Sequence, residues 1–295
     1  MRIVELGKQF RPGTSHVYPP FKNGRYMEEY VYEYIHKNIA LLESVSVYIP
    51  IFWTNMQNHP GFSKMRDKYN FLLQTALKQY PNDTLFITVV QHDDGPQLDL
   101  PKNTIIYGAC TGTIPLPLIY EDTTNRLTNI PRIVHRDILA SFVGTYTTHS
   151  IREDMWKALN GKKGIVCHGR QIWSPYIPKD DATTFIELTL RSKFCLAPRG
   201  YGRSSFRFFE AILLDTIPVY IWDDMEWLPY KELLDYSAFS ISIHKKDIPH
   251  LYTILESISD EKYESMLDEL KKIKHFFTLD GLCHYVASNM AVNTQ

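Results

Sequence analysis

Cysteine is scarce in this 295-residue chain, and the four present, Cys110, Cys167, Cys195 and Cys283, stand far apart. None forms a C-x-x-C pair or takes a Cys/His spacing that suits zinc, which argues against a structural zinc module and predicts reduced, buried thiols. An excess of positive charge is missing too. Lys and Arg number 32 against 33 Asp and Glu, a formal net charge of −1. The whole molecule therefore has no field that would draw in nucleic acid or an anionic membrane, and any anion site must be local. No stretch approaches the roughly 18 consecutive apolar residues of a membrane-spanning helix. The start, MRIVEL followed by polar residues, lacks the basic, apolar and small-residue succession of a secretory signal. The expectations are no integral membrane segment, no nucleic-acid partner and a soluble, cytoplasmic protein. Two catalytic fingerprints are also absent. Without the G-x-G-x-x-G glycines after an N-terminal strand, a nicotinamide-dependent oxidoreductase is disfavoured, and without G-x-S-x-G or a Cys with a clear His partner, so are nucleophilic hydrolases.

What the chain does have is alternation. Helix-period patterns at 27–38 and 62–80 flank a continuous apolar run at 46–53, and LFITVV at 85–90 follows. That last run is apolar and β-branched without alternation, as expected of a parallel strand covered on both faces. Strands are predicted at 104–110 and 115–120. After a polar stretch at 121–132 a second series begins: strands at 138–148, 164–168, 194–198, 216–221 and 237–242, helices at 149–159, 181–192 and 204–215, and a closing helix at 260–276. Parallel strands need crossover helices, so the pattern predicts two α/β domains with mainly parallel sheets. The predicted divisions are 1–135, 136–280 and a C-terminal helix or tail, 281–295, that packs back on the first domain. Ligands in such sheets sit beyond the carboxyl ends of the strands, and a cleft between the two domains is expected. The 19 Tyr, 15 Phe and 5 Trp suit stacking on bases and sugar rings as well as ordinary packing.

The most informative segment is SKFCLAPRGYGRSSFRFFEAILLDTIPVYIWDD, 192–224. A short strand runs into the turn Arg199-Gly200-Tyr201-Gly202-Arg203 and then into a helix predicted to begin near Ser204 and Ser205. Amides at a helix start, the positive end of its dipole and two hydroxyls favour a phosphate group, while glycine lets a ligand approach the backbone. Arg199, Arg203 and Arg207 add candidate charge-assisted bonds to a diphosphate. Arg203, Arg207 and Glu210 fall at i, i+4 and i+7 and share one helix face. A carboxylate one to two turns beyond a diphosphate is placed to accept both hydroxyls of a ribose. The plainer reading of the same spacing is an exposed Arg207–Glu210 pair of little consequence.

The run Ser192-Lys-Phe-Cys-Leu-Ala-Pro-Arg-Gly200, with Ser205-x-Arg207-x-x-Glu210-Ala211 and Ile217-Pro218-Val219, closely resembles the C-terminal signature of exostosin-like glycosyltransferases. WLPYKELLDYSAFSISI (227–243), SFVGTYTTHSIREDM (141–155) and GRYMEEYVYEYI (24–35) resemble other parts of the family more loosely. The resemblance implies a GT-B architecture, two facing Rossmann-like domains with a cleft between them. It also implies inversion at the anomeric carbon and no metal-bound diphosphate, hence no obligatory cofactor. By that resemblance Glu210 holds the donor ribose, while Arg207, Ser204, Ser205 and the 199–203 turn, including Gly200 and Tyr201, face the diphosphate. Arg152 and Gly144, from the strand–glycine–loop stretch, join the donor side. Asp215 departs from the pattern, since relatives often carry Gly there, and the membrane anchor of animal and plant members is not seen in the sequence; a compact form resembles bacterial or large-virus members.

An inverting transfer needs a general base for the acceptor hydroxyl. Past the predicted strand 85–90, His92, Asp93 and Asp94 are the leading candidates; Asp93-Asp94-Gly95-Pro96 also reads as a plain turn, and the choice between the two Asp stays open. Glu28, Glu29 and Asp67 are weaker alternatives. His168, Arg170 and Trp173 follow another strand and are candidates for contact with the donor base or sugar. Asp223-Asp224 and Asp180-Asp181 have the chemistry of hard-cation ligands, but paired acids at such boundaries more often cap and turn, and no metal is predicted. The function expected is transfer of a sugar from a UDP-sugar, such as UDP-xylose, UDP-galactose or UDP-glucuronate, to a hydroxyl of a glycan acceptor. The alternative is a noncatalytic nucleotide- or glycan-binding protein of the same fold.

Overall fold

A computed structural model describes residues 2–13, 24–40, 42, 45–130, 135–174 and 177–292. Its regular elements run β1 (Arg2–Ile3), α1 (Met27–Asn38), β2 (Val47–Tyr48), α2 (Trp53–Gln57), α3 (Phe62–Leu77), β3 (Phe86–Val90), β4 (Thr104–Gly108) and β5 (Ile114–Pro115). There follow β6 (Ile138–Thr145), α4 (Ser150–Leu159), β7 (Ile165–Arg170), α5 (Lys179–Arg191), β8 (Ser192–Pro198), α6 (Phe206–Leu213) and β9 (Ile217–Trp222). The chain ends with β10 (Ile241–His244), α7 (Leu251–Glu256), α8 (Asp260–Ile273) and α9 (Leu279–Val292). Two compact units result, one of residues Met1–Leu116 with Leu279–Gln295, the other Pro117–Thr278. Each holds a parallel sheet, so the expected pair of Rossmann-like α/β units, the building blocks a GT-B chain requires, is present.

In the first unit the strands lie in the order β1-β2-β3-β4-β5, all parallel. All five residues of β3 are buried, as its unbroken apolar run predicts. The strand expected at 115–120 is cut to Ile114–Pro115, because Pro115 and Pro117 have no N–H to give to a ladder. Helix α9 belongs to this unit through α1: Tyr30 donates to Asp280 at 2.9 Å and Tyr34 Oη meets His284 Nδ1 at 3.3 Å. Cys110 and Cys283 are buried free thiols.

The second unit has the order β10-β9-β8-β6-β7, again parallel throughout. From β6 the chain winds first outward to β7 and then back across to β8, so the direction of winding reverses between β6 and β8. The carboxyl ends of that pair, at Thr145 and Pro198, flank the crevice where open α/β sheets bind ligands. Cys195 is buried here, whereas Cys167, on the edge strand β7, is only partly so.

The sequence-based division at 135/136 and the observed one at Leu116/Pro117 differ for a physical reason. Leu127 packs into the second unit's core with Val143, Cys195 and Ala211, and Tyr120 and Arg126 bond to Glu210. Residues 131–134 of the expected linker and 293–295 of the expected tail lie outside the described residues. Among the described residues no helix is long and apolar enough to cross a membrane.

Candidate functional site

The β6/β8 crevice is built around arginines. Arg152, on the first turn of α4, is buried and gives Nε to the carbonyl of Arg199 (2.9 Å), Nη1 to that of Thr145 (2.8 Å) and Nη2 to that of Pro198 (3.3 Å). One guanidinium thus ties the carboxyl ends of both strands. Arg207 comes from α6 on the other side and donates Nε to the carbonyl of Val143. The ring of Phe142 has both cations nearby, Arg152 at 5.8 Å and Arg207 at 5.5 Å from its centroid. Burial lowers the Arg207 pKa, with the charge of Glu210 opposing the shift; a guanidinium still remains charged at any working pH. The two strand ends therefore carry fixed positive charge with little freedom to move.

Gly144 leaves room for this. A Cβ at Gly144 would lie 2.3 Å from Arg207 Nη2, and one at Gly200 would lie 3.2 Å from Arg152 Nη2. The turn after β8 is closed by the Gly200 amide donating to the Ser204 carbonyl at 3.2 Å, with Tyr201 two-thirds exposed at its tip. Helix α6 then starts at Phe206, with Ser205 as its N-cap. The start is two residues later than the sequence pattern predicts, so Arg203 lies ahead of the helix and does not share a face with Arg207 and Glu210. Ser204 and Ser205 are both buried, and Ser205 Oγ has no hydrogen-bond partner. An unfilled hydroxyl at a helix start, beside amides that have no partner in the helix itself, is what an anion site presents.

Glu210 lies four residues into α6 and is buried at 7% exposure. Its Oε1 accepts from Tyr120 Oη at 2.6 Å and from Arg126 Nη2 at 3.0 Å. Arg126 also donates to the Tyr120 hydroxyl and lies over its ring, 5.4 Å from the centroid. Burial and the neighbouring carboxylate push the Tyr120 phenol well above its usual pKa, so it stays a donor. The exposed Arg207–Glu210 pair of the plainer reading is not formed; Glu210 is buried and Arg207 part-buried, each against other partners. Local spacing gave no signal for Tyr120 and Arg126, which are 90 and 84 positions from Glu210.

Arg199 does not stand open toward a ligand. It donates to Asp223 Oδ1 at 2.7 Å and Asp224 Oδ1 at 2.5 Å, while Arg203 donates to Asp224 Oδ2 at 2.9 Å. Burial pushes both carboxyls up, yet the hydrogen bonds and charges of Arg199 and Arg203 outweigh it and hold them below the usual range. His149, the N-cap of α4, accepts the Ile151 amide on Nδ1 at 3.3 Å and sets Nε2 3.5 Å from Asp223 Oδ2. Burial and the Arg199 charge lower its pKa against the pull of Asp223. Its neutral form therefore carries the proton on Nε2, facing the carboxylate. Among the described residues no group of His, Cys, Asp and Glu side chains forms a metal cage. His168 and Arg170, on β7, both face Asp181, at 3.7 and 3.3 Å, and Trp173 beyond them is half exposed.

In the first unit, His92, Asp93 and Asp94 follow β3 in a turn closed by the Gly95 amide on the His92 carbonyl (3.0 Å), with Gly95 at φ +70°. The Asp94 amide donates to His92 Nδ1 at 3.2 Å. Burial lowers the His92 pKa although both Asp residues raise it. The neutral ring then has Nδ1 occupied and a proton on Nε2, which leaves no ring lone pair for base work. Glu28, from α1, lies beside this strand end: its Oε1 accepts from the Gln91 amide (3.0 Å) and from Thr54 N and Oγ1 (3.1 and 2.7 Å).

A doubly wound Rossmann-like unit, with a cationic crevice at its winding reversal and a carboxylate down the next helix, is the class the fold defines. The chain belongs to the exostosin GT47 family: the model of the exostosin GT47 domain matches residues 102–258, a little over half of the chain. A probable beta-1,4-xylosyltransferase of Arabidopsis thaliana is 39% identical over 159 residues, 51% of this chain and 36% of that protein. A probable glucuronosyltransferase of Oryza sativa subsp. japonica is 35% identical over 96 residues, 32% of this chain and 23% of that protein. The matched part thus spans about a third or less of these relatives' length. A solved S. aureus TarM variant, in complex with fondaparinux, alpha-GlcNAc-glycerol and UDP, overlaps 90% of this chain and 57% of its own at TM-score 0.40 and 12% identity, too loose a likeness to bear on the site.

Proposed function

We propose that this chain is an inverting glycosyltransferase that binds a UDP-sugar on its second unit and passes the sugar to a hydroxyl of a glycan acceptor. Glu210 carries the reading. It is a buried carboxylate one turn into α6, downstream of the unfilled Ser205 hydroxyl and beside Arg207, and so it suits a ribose whose diphosphate rests on the helix start. Fixed donors at that start stabilise the charge that develops on the departing diphosphate, a task that needs no metal. Asp223 and Asp224 are already engaged by guanidinium groups, which supports the same view. In this reading Gly144, Gly200 and Arg152 shape the crevice, His168 and Arg170 border the donor base or sugar, and Arg199 orders the 199–203 turn through the two Asp residues. Asp93 or Asp94 serves as the base, since His92 has no free lone pair. Xylosyl and glucuronosyl donors lead the choice because relatives carry those names; UDP-galactose stays on the list from the family resemblance.

The test is UDP release on incubation with UDP-xylose, UDP-glucuronate or UDP-galactose and β-linked oligosaccharide acceptors, with and without EDTA. Release that needs both donor and acceptor, survives EDTA and is abolished by Glu210→Ala supports the assignment. UDP binding without release under any pairing would favour the noncatalytic reading, and activity lost to EDTA and restored by manganese would overturn the metal-free one.

A further inference from the structure

The two donors that meet Glu210 share a single oxygen. Tyr120 Oη and Arg126 Nη2 both reach Oε1. Oε2 accepts from no described residue and is not among the fully buried atoms that lack a partner, so it keeps contact with solvent. We propose that Tyr120 and Arg126 are positioning residues that clamp Oε1 and thereby aim Oε2 at the two hydroxyls of the nucleotide ribose. The inference rests on the reading of Glu210 as the ribose ligand.

The clamp has a rigid mounting. Tyr120 packs edge-on against Phe206, at the start of α6, with ring centroids 5.8 Å apart. Arg126 follows it on a loop pinned by the Leu127 amide on Asp122 Oδ2 at 2.8 Å and by the Leu127 side chain, 2% exposed in the unit's core. A glutamate side chain has three rotatable bonds, and a carboxylate free to turn would present either oxygen in many orientations. With Oε1 held from two directions, only one remains for the ligand. Arg126 also gives the carboxylate a charge-assisted hydrogen bond, stronger than a neutral one, while the raised Tyr120 pKa keeps the phenol proton in place across working pH. The chemical class selected is a ribonucleotide over one lacking the ribose hydroxyls.

Calorimetric titration with UDP and with 2′,3′-dideoxy-UDP tests this. The unaltered chain is expected to prefer UDP by about tenfold or more, the worth of hydrogen bonds to a charged group, and Glu210→Gln to reduce that preference to about threefold or less. Tyr120→Phe, which keeps the ring, and Arg126→Gln are each expected to lower the preference to roughly threefold while leaving dideoxy-UDP affinity unchanged; a merely structural loss would weaken both ligands together. Arg126→Lys is expected to recover part of the preference. Equal binding of both nucleotides by the unaltered chain overturns the ribose reading itself. Full discrimination in Tyr120→Phe and Arg126→Gln, with loss in Glu210→Gln, overturns only the clamp. Tighter UDP binding in either clamp variant also overturns it, for the pair would then be a latch that competes with the nucleotide. Should one variant fail to fold, the other decides.

Discussion

Gly144 and Arg207 claim adjoining space at the end of β6: a Cβ at residue 144 would lie 2.3 Å from Arg207 Nη2, far inside any real contact. The guanidinium that crosses here is fixed by the Val143 carbonyl and the Phe142 ring, so the glycine is what lets a part-buried cation sit at the strand end.

Gly144→Ala is therefore expected to displace Arg207 and cost roughly 1–3 kcal/mol of stability, the usual range for overpacking. UDP binding should weaken along with it. Denaturant melts and a UDP titration check the two effects; an alanine variant with unchanged stability and affinity would show that the Arg207 position is not tightly held.

The Arg199–Asp223–Asp224 cluster carries a pH signature. Both carboxyls are held below their ordinary value, so their contribution to stability is present above the unfolded pKa, about 3.9, and is lost as pH falls through the lower folded value. Melting temperature should drop between about pH 4 and the acid limit, and Arg199→Gln should flatten that drop. The same variant should cost about 1–3 kcal/mol near neutrality, since it leaves half-buried carboxylates short of a partner. A melting curve against pH that is identical in both proteins would remove the cluster from the account.

Much of this was legible beforehand, for identifiable reasons. Both parallel sheets followed from runs such as Phe86–Val90, whose lack of alternation can only mean cover on both faces, and α1 falls on the predicted 27–38. Boundaries slipped where proline or capping decides locally: Pro115 and Pro117 end a ladder, and the helix after β8 begins at Phe206. Within the site, Arg207 and Glu210 could be picked out because they lie on one helix beside a glycine turn. Tyr120, Arg126, His149 and the capture of Arg199 by Asp223 could not. Those contacts join distant stretches of chain, and no periodicity encodes them.

Asp215, the departure from the family's glycine, has a structural explanation: it leaves α6 at φ +54°, in the left-handed region, with Lys274 on its carboxylate and Arg136 on its carbonyl. Asp215→Ala and Asp215→Gly both lose the carboxylate and differ only in backbone tolerance. Alanine should be the less stable by about 1 kcal/mol or more, read from paired thermal or urea melts; equal stability would mean the turn relaxes out of that region.

For the base, Asp93→Asn and Asp94→Asn should leave UDP affinity intact, and one of them should slow transfer by about 10²–10⁴-fold. Single-turnover kinetics decide between them. Unimpaired rates in both would confine the 92–95 turn to structure and return attention to Glu28.

The most direct test of the central claim is a crystal structure of the chain with UDP. The ribose hydroxyls should lie within hydrogen-bond distance of Glu210 Oε2, and the diphosphate should rest over Ser204, Ser205 and the first turn of α6. A nucleotide bound away from that helix, or one that leaves Glu210 with Tyr120 and Arg126 as its sole partners, would contradict it.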